Sequence, residues 1–159
     1  MPDQLTAFIT LMALLFFKHY FGDAQFQTLW QVLNKGRYGH PAGFVHAGIH
    51  VGLSALMLAL WQALPAPFSI AVPLPWLAAA LVFEGVTHYH TDWSKGHFFD
   101  GQHYARSERD EDGNPIFIIE NERFWLFLIL DQCLHFLGYL GMGIVLFYGP
   151  QWGHLWGWF

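Results

Sequence analysis

From residue 38 to residue 83 the chain carries no Asp, Glu, Lys or Arg, and it carries none after Asp131. A helix needs about 20 predominantly apolar residues to cross a bilayer, and charge-free stretches of this length accommodate several such helices. The 159-residue chain is 12% charged and 54% hydrophobic, whereas an average soluble domain is about 25% charged. High hydrophobicity with low charge excludes intrinsic disorder, and the length sets an expectation of one domain.

Four spans are predicted, over about 5–22, 43–64, 75–93 and 124–147. Pro65, Pro67, Pro73 and Pro75 break the chain between the second and third, because proline cannot continue a helix. Pro75 suits the first turn of the next one. The expected fold class is therefore all-α: an integral membrane, up-and-down bundle of four transmembrane helices, with a longer polar loop at 94–123 between helices three and four. Connections this long often serve as lids or binding surfaces. Within it, a Gly-Asn-Pro turn followed by IFII predicts a short strand or an interfacial segment. The run DEDGN at 110–114 lacks the sixth-position Gly and twelfth-position Glu of a calcium loop.

All seven basic residues (Lys18, Lys35, Arg37, Lys95, Arg106, Arg109 and Arg123) fall on one side of this arrangement. Positive residues mark the cytoplasmic side, so both termini are expected outside the cytoplasm. Tryptophan agrees. Trp30, Trp93 and Trp125 flank the inner ends, and Trp61, Trp76, Trp152, Trp156 and Trp158 flank the outer ends, as an aromatic belt does. A soluble all-α bundle with a Phe-rich core is the competing reading, and it gives no reason for Lys and Arg to sort by connection. The first span lacks the basic flank and small-residue cleavage site of a signal peptide, so it is expected to stay. A net charge of −5 counts against nucleic-acid binding. The single cysteine, Cys133, is expected as a small core residue.

Ten histidines outnumber Lys and Arg together. His19, Asp23 and Gln27 close span one, and His46 and His50 open span two. Glu84, His88 and Asp92 close span three, while Asp131 and His135 open span four. Every set is spaced by four, which places its members on one helix face. Up-and-down connectivity then brings all four sets to the same inner-leaflet depth. Ionisable groups in a bilayer cost roughly 2.5–3.5 kcal/mol each on insertion scales, so they are expected to face inward and pair.

Five imidazoles (His19, His46, His50, His88, His135) and three carboxylates (Asp23, Asp92, Asp131) are the expected metal ligands. Both donor types suit a divalent metal, Zn, Mn or Fe, and helical bundles build one- and two-ion sites from inward-facing carboxylates and histidines. Spacing leaves one or two ions open. Structural interhelical hydrogen bonds are the plainer alternative for any one pair. Glu84, about two turns deeper than Asp92, is a candidate proton acceptor or a partner of Lys18. Lys95 is a candidate catalytic residue that holds an anionic substrate, or it snorkels to the interface. Gln27 and Gln132 are placed to orient ligands or substrate. His90 points away from His88, and His40, His97, His103 and His154 have no partner spacing.

The pieces HYFGDAQFQ, HAGIH, HYHTDWSK and DQCLH together resemble a family of small bacterial and phage membrane proteins, domain-of-unknown-function family thirty-three-oh-seven. The resemblance spans most of the chain and implies a bacterial inner membrane location and the same site residues. It implies no activity. The 96–121 segment looks longer than the family's usual connection.

Three functions compete. A metal-dependent membrane hydrolase acting on a lipid-like or cytoplasmic small molecule leads. A metal-ion or proton transporter predicts polar residues continuing to the outer face, where Ser54 and Thr10 are the main exceptions to apolarity. A haem or di-iron redox protein is the third, weakened by the carboxylates one turn from most histidines and by the lack of adjacent His-His pairs. Membrane lipid is the expected surrounding partner, and a homodimer would add the enclosing surface that four short spans lack.

Overall fold

The computed structural model describes residues 2–98, 105–119 and 122–155. Among these residues five helices form: α1 (Pro2–Ala24), α2 (Leu29–Asn34), α3 (Pro41–Gln62), α4 (Leu74–Phe98) and α5 (Arg123–Leu155). Strands β1 (Ala105–Arg109) and β2 (Pro115–Ile119) pair antiparallel, with Arg106 opposite Ile118 and Glu108 opposite Ile116. The expected polar loop is therefore shorter than 94–123, because α4 continues to Phe98 and the middle folds as a hairpin. Its turn is the DEDGN run. Asp110 Oδ1 accepts from the backbone N–H of Asp112 and Asn114 at 3.0 and 2.7 Å, and Gly113 takes φ +83°. The loop residues 99–104 and 120–121, which include His103, lie outside the described residues, as do Trp156 and Trp158.

Local chemistry sets the helix boundaries. Thr28 caps α2 in a reciprocal pair with Gln31, which satisfies donors left open at a helix start. His40, without partner spacing in sequence, is the N-cap of α3, where its Nδ1 accepts from Ala42 N–H at 3.2 Å and Pro41 follows. The proline-rich stretch 65–73 contains no helix, as its missing N–H groups require.

Among the described residues, three helices are long and apolar enough to cross a membrane: Asp3–Ala24, Pro41–Gln62 and Arg123–Gly153. The predicted third span, now α4, has 25 residues. It is about 37 Å long, but Glu84, Asp92, Lys95 and three histidines reduce its apolarity below that of the others. The long helices touch in cyclic order: α1 lies on α3 and α5, and α4 lies on α3 and α5.

Burial is divided by level. At one end Leu11, Leu15, Leu58, Trp61, Met142 and Leu146 form an apolar core. The buried Trp61 indole N–H donates to Ala7 O and Phe68 O at 3.2 and 2.9 Å. At the other end the interior is polar. Among the described residues, the buried set includes Lys18, His19, Lys35, His46, His50, Glu84, His88, Asp92, Asp131 and His135, while Leu5, Ile9, Phe17, Val82, Ile129 and Leu137 are exposed on the outside. Apolar outside and polar inside is the order a lipid solvent favours. Cys133 departs from expectation: it is exposed, because the inward face of α5 is already taken by Asp131 and His135.

At the polar end two glycine backbones meet. A Cβ on Gly96 would lie 2.6 Å from Gly36 Cα, and one on Gly36 would lie 2.9 Å from Gly96 Cα. Neither backbone can yield as a flexible side chain can. Gly96→Ala is therefore expected to lower stability by about 1–3 kcal/mol, the usual range for overpacking. Gly48→Ala, which meets nothing within 4 Å, is expected to hold or raise stability, since alanine favours a helix interior over glycine. Unfolding in detergent, followed by circular dichroism, compares the two.

Candidate metal centre

The C-terminal parts of α1 and α4 and the N-terminal parts of α3 and α5 meet at the polar end, and their four-residue spacings point into one cluster. From α1, Asp23 lies 3.3 Å from the Nε2 atoms of His19, His46 and His50. From α4, Asp92 lies 3.3 Å from His46 Nε2, 3.5 Å from His88 Nε2 and 3.9 Å from His135 Nε2. From α5, Asp131 lies 3.5 Å from His135 Nε2. The rings crowd one another: His50 and His88 have centroids 4.0 Å apart, and His88 and His135 have centroids 4.2 Å apart. All eight residues expected from spacing are thus brought together. Gly22 makes room for this, because a Cβ there would run into the His50 ring.

Among the described residues, three groups have donor atoms within 4.8 Å of one another and could hold a metal ion: His19, His88 and His135; His46, His50 and His88; and Asp92, Asp131 and His135. Donors around one ion at about 2.1 Å stand about 3.4 Å apart, so side-chain shifts on the order of 1 Å complete any of these groups. The donor chemistry fits. The Nε2 atoms of His19, His50, His88 and His135 are buried without a hydrogen bond, as is Asp131 Oδ1. Buried polar atoms are ordinarily satisfied, and a cation satisfies both imidazole nitrogen and carboxylate oxygen. On His19 the other nitrogen, Nδ1, is held by the Tyr139 hydroxyl at 2.8 Å. Metal-bound histidines are typically fixed in this way through their second nitrogen.

The remaining expected residues have distinct surroundings. Glu84 is bound to Lys18 in a buried ion pair, with Lys18 also donating to His50 O at 3.2 Å and lying 4.7 Å above the Tyr139 ring. Lys95 is half-buried and reaches into the cluster. Its ammonium donates to Asp131 Oδ2 at 2.8 Å, and Gln132 Nε2 donates to the same oxygen at 3.3 Å. Gln27 Oε1 is buried without a hydrogen bond. His90 is exposed and bonds its own helix at Val86 O, and His97 stacks on Trp93.

Sequence reasoning missed three participants. Lys35, at the C-cap of α2, is buried with its ammonium 2.8 Å from Asp92 Oδ1 and 3.0 Å from His46 Nε2. Burial disfavours its charged form, but the carboxylates of Asp92, Asp23 and Asp131 outweigh that and raise its pKa above the ordinary lysine value. No periodicity marks a lysine in a short connection, and the Gly36–Gly96 contact is what seats it. Tyr139 and the buried Ser54 did have a signal. They extend the series Asp131–His135 and His46–His50 by one more turn.

Comparison with known proteins finds no matching family model, no matching curated protein and no matching solved structure.

Proposed function

We propose that this chain is a four-span membrane protein whose His/Asp cluster holds one or two divalent metal ions near the cytoplasmic leaflet and serves as a metal-dependent hydrolase. The observation that carries the reading is the convergence of five imidazoles and three carboxylates from four helices into one cluster, all buried except the half-buried Asp23, with unsatisfied Nε2 atoms. The low apolarity of α4 fits a span whose polar residues face three neighbouring helices rather than lipid. The basic residues gathered at the same end support a cytoplasmic location for it.

His19, His46, His50, His88, His135, Asp23, Asp92 and Asp131 form the pool of ligands. A divalent metal bound there supplies Lewis acidity towards an acyl or phosphoryl oxygen and lowers the pKa of water. Hydrolysis adds the hydroxyl of water to the acyl or phosphoryl centre and returns the proton to the leaving oxygen. Glu84, with Oε2 free of hydrogen bonds, is the carboxylate placed to take and return that proton, with Lys18 holding its other oxygen. Lys95 neutralises Asp131 and stands at the rim for an anionic group. Transport is less well supported, because the apolar core around Leu11, Leu58, Trp61 and Leu146 fills the opposite end.

Elemental analysis of the purified protein tests the centre. Stoichiometric metal is expected in the wild type, with loss in Asp23→Ala, His50→Ala, Asp92→Ala and His135→Ala and a chelator-dependent fall in unfolding temperature. Wild-type protein without metal, or four variants with full metal, would falsify it.

A further inference from the structure

The three donor groups among the described residues are not equivalent. In the group of His46, His50 and His88, His46 turns its Nε2 towards Asp23 and Asp92, and the Lys35 ammonium stands 3.0 Å from that same nitrogen. In the group of Asp92, Asp131 and His135, Lys35 lies 2.8 Å from Asp92 Oδ1 and Lys95 lies 2.8 Å from Asp131 Oδ2. Both groups therefore already have a cation on one of their donors. In the remaining group, the Nε2 atoms of His19, His88 and His135 are all buried without a hydrogen bond. Tyr139 fixes His19 through its other nitrogen.

We propose that the cluster holds one divalent ion, on His19, His88 and His135, and that Lys35 and Lys95 are built-in cations occupying the place of a second. This rests on the metal centre proposed above and chooses between its one-ion and two-ion forms. Charge points the same way. Asp23, Asp92 and Asp131 set against Lys35 and Lys95 leave one negative charge around the imidazoles, and Lys18 cancels Glu84. One divalent ion turns this into a single positive charge, which a bound hydroxide neutralises. A second ion would add two more positive charges to an interior where unpaired charge is costly. Three protein ligands with an open fourth position are also the arrangement of catalytic zinc sites. Space for a fourth ligand exists beside two of the three histidines. A crevice of about 10 Å³ lined by His88, His135 and Glu84 has room for one water. Asp23, 3.3 Å from His19 Nε2, has 24% of its side chain exposed, which gives ions a way in from the surface. A lone ion acts by activating water and polarising one oxygen, not by clamping a substrate between two metals.

The experiment uses the full chain in detergent micelles, loaded with excess zinc, desalted and analysed for zinc per chain. The wild type is expected to hold about one ion per chain, and His19→Ala to retain less than about a tenth of it. Lys35→Met/Lys95→Met is expected to take up about two ions, and the further change Asp131→Asn to return it to about one. Two ions in the wild type overturn the inference and leave the metal centre standing. One ion in Lys35→Met/Lys95→Met that circular dichroism shows folded also overturns it, as does a full ion in His19→Ala. Should the double variant not fold, Lys35→Gln/Lys95→Gln, whose amides can still donate to the carboxylates, is read in its place with the same expected gain. Wild-type protein that takes up no zinc refutes the metal centre itself, and this inference with it.

Discussion

Replacing His88 by alanine is expected to cause the largest loss of bound metal of any single substitution in the cluster. His88 belongs to two of the three donor groups, its ring packs on His19, His46, His50 and His135, and its Nε2 has no hydrogen bond. Loss of a group that merely orients a ligand weakens metal binding 10–100-fold, so loss of a shared ligand is expected to weaken it by more than about 100-fold. Lys35→Met is expected to act in the opposite direction. The Lys35 ammonium competes with an ion for Asp92 Oδ1 and His46 Nε2, and its removal frees both, for a gain of about tenfold, or about 1.4 kcal/mol. Competition titration with a chromophoric chelator measures both. Equal affinities in His88→Ala and wild type would mean that the five imidazoles pack against one another without sharing an ion.

The Lys18–Glu84 pair is expected to give the largest change in stability. Both side chains are buried, so removal of one leaves the other charged in a low-dielectric interior. Breaking such a pair costs about 3–5 kcal/mol, whereas replacing both members with apolar residues of similar size is often neutral or stabilising. Lys18→Ala and Glu84→Ala should each unfold at much lower denaturant than wild type, and Lys18→Met/Glu84→Leu should recover most of the loss. Unfolding in mixed micelles, titrated with dodecyl sulfate, provides the double-mutant cycle. The double variant also tests the chemistry assigned to Glu84. It should keep its metal and its fold while losing hydrolysis of acyl esters. Full hydrolysis would leave Glu84 a packing role only.

Particular elements show how much was legible in the chain. The spacings His19–Asp23, His46–His50, His88–Asp92 and Asp131–His135 read correctly as inward faces of helices, since a period of 3.6 residues is a local property. The apolar outer surface follows from the same pattern. The Pro-rich break at 65–73 and the β2 segment over IFII were also legible, through the missing N–H groups of proline and the turn residues before the strand. The capped helix α2 was not anticipated, although Thr28 and Gln31 have capping-box spacing. Cys133 was misplaced because residue type alone says nothing about which face of α5 it occupies.

The sequence by itself determined the helical class, the apolar lengths available to cross a membrane and the eight residues that converge. Each follows from hydropathy and helical periodicity within one segment. Only the tertiary structure decided which carboxylate each lysine neutralises and how Tyr139 holds His19. Lys35 reaches Asp92 across 57 residues of chain because Gly36 and Gly96 allow two backbones to meet, and Tyr139 reaches His19 across 120 residues because α1 packs on α5. These are contacts between segments distant in sequence, set by how side chains fill the space between helices, and no period along the chain encodes them.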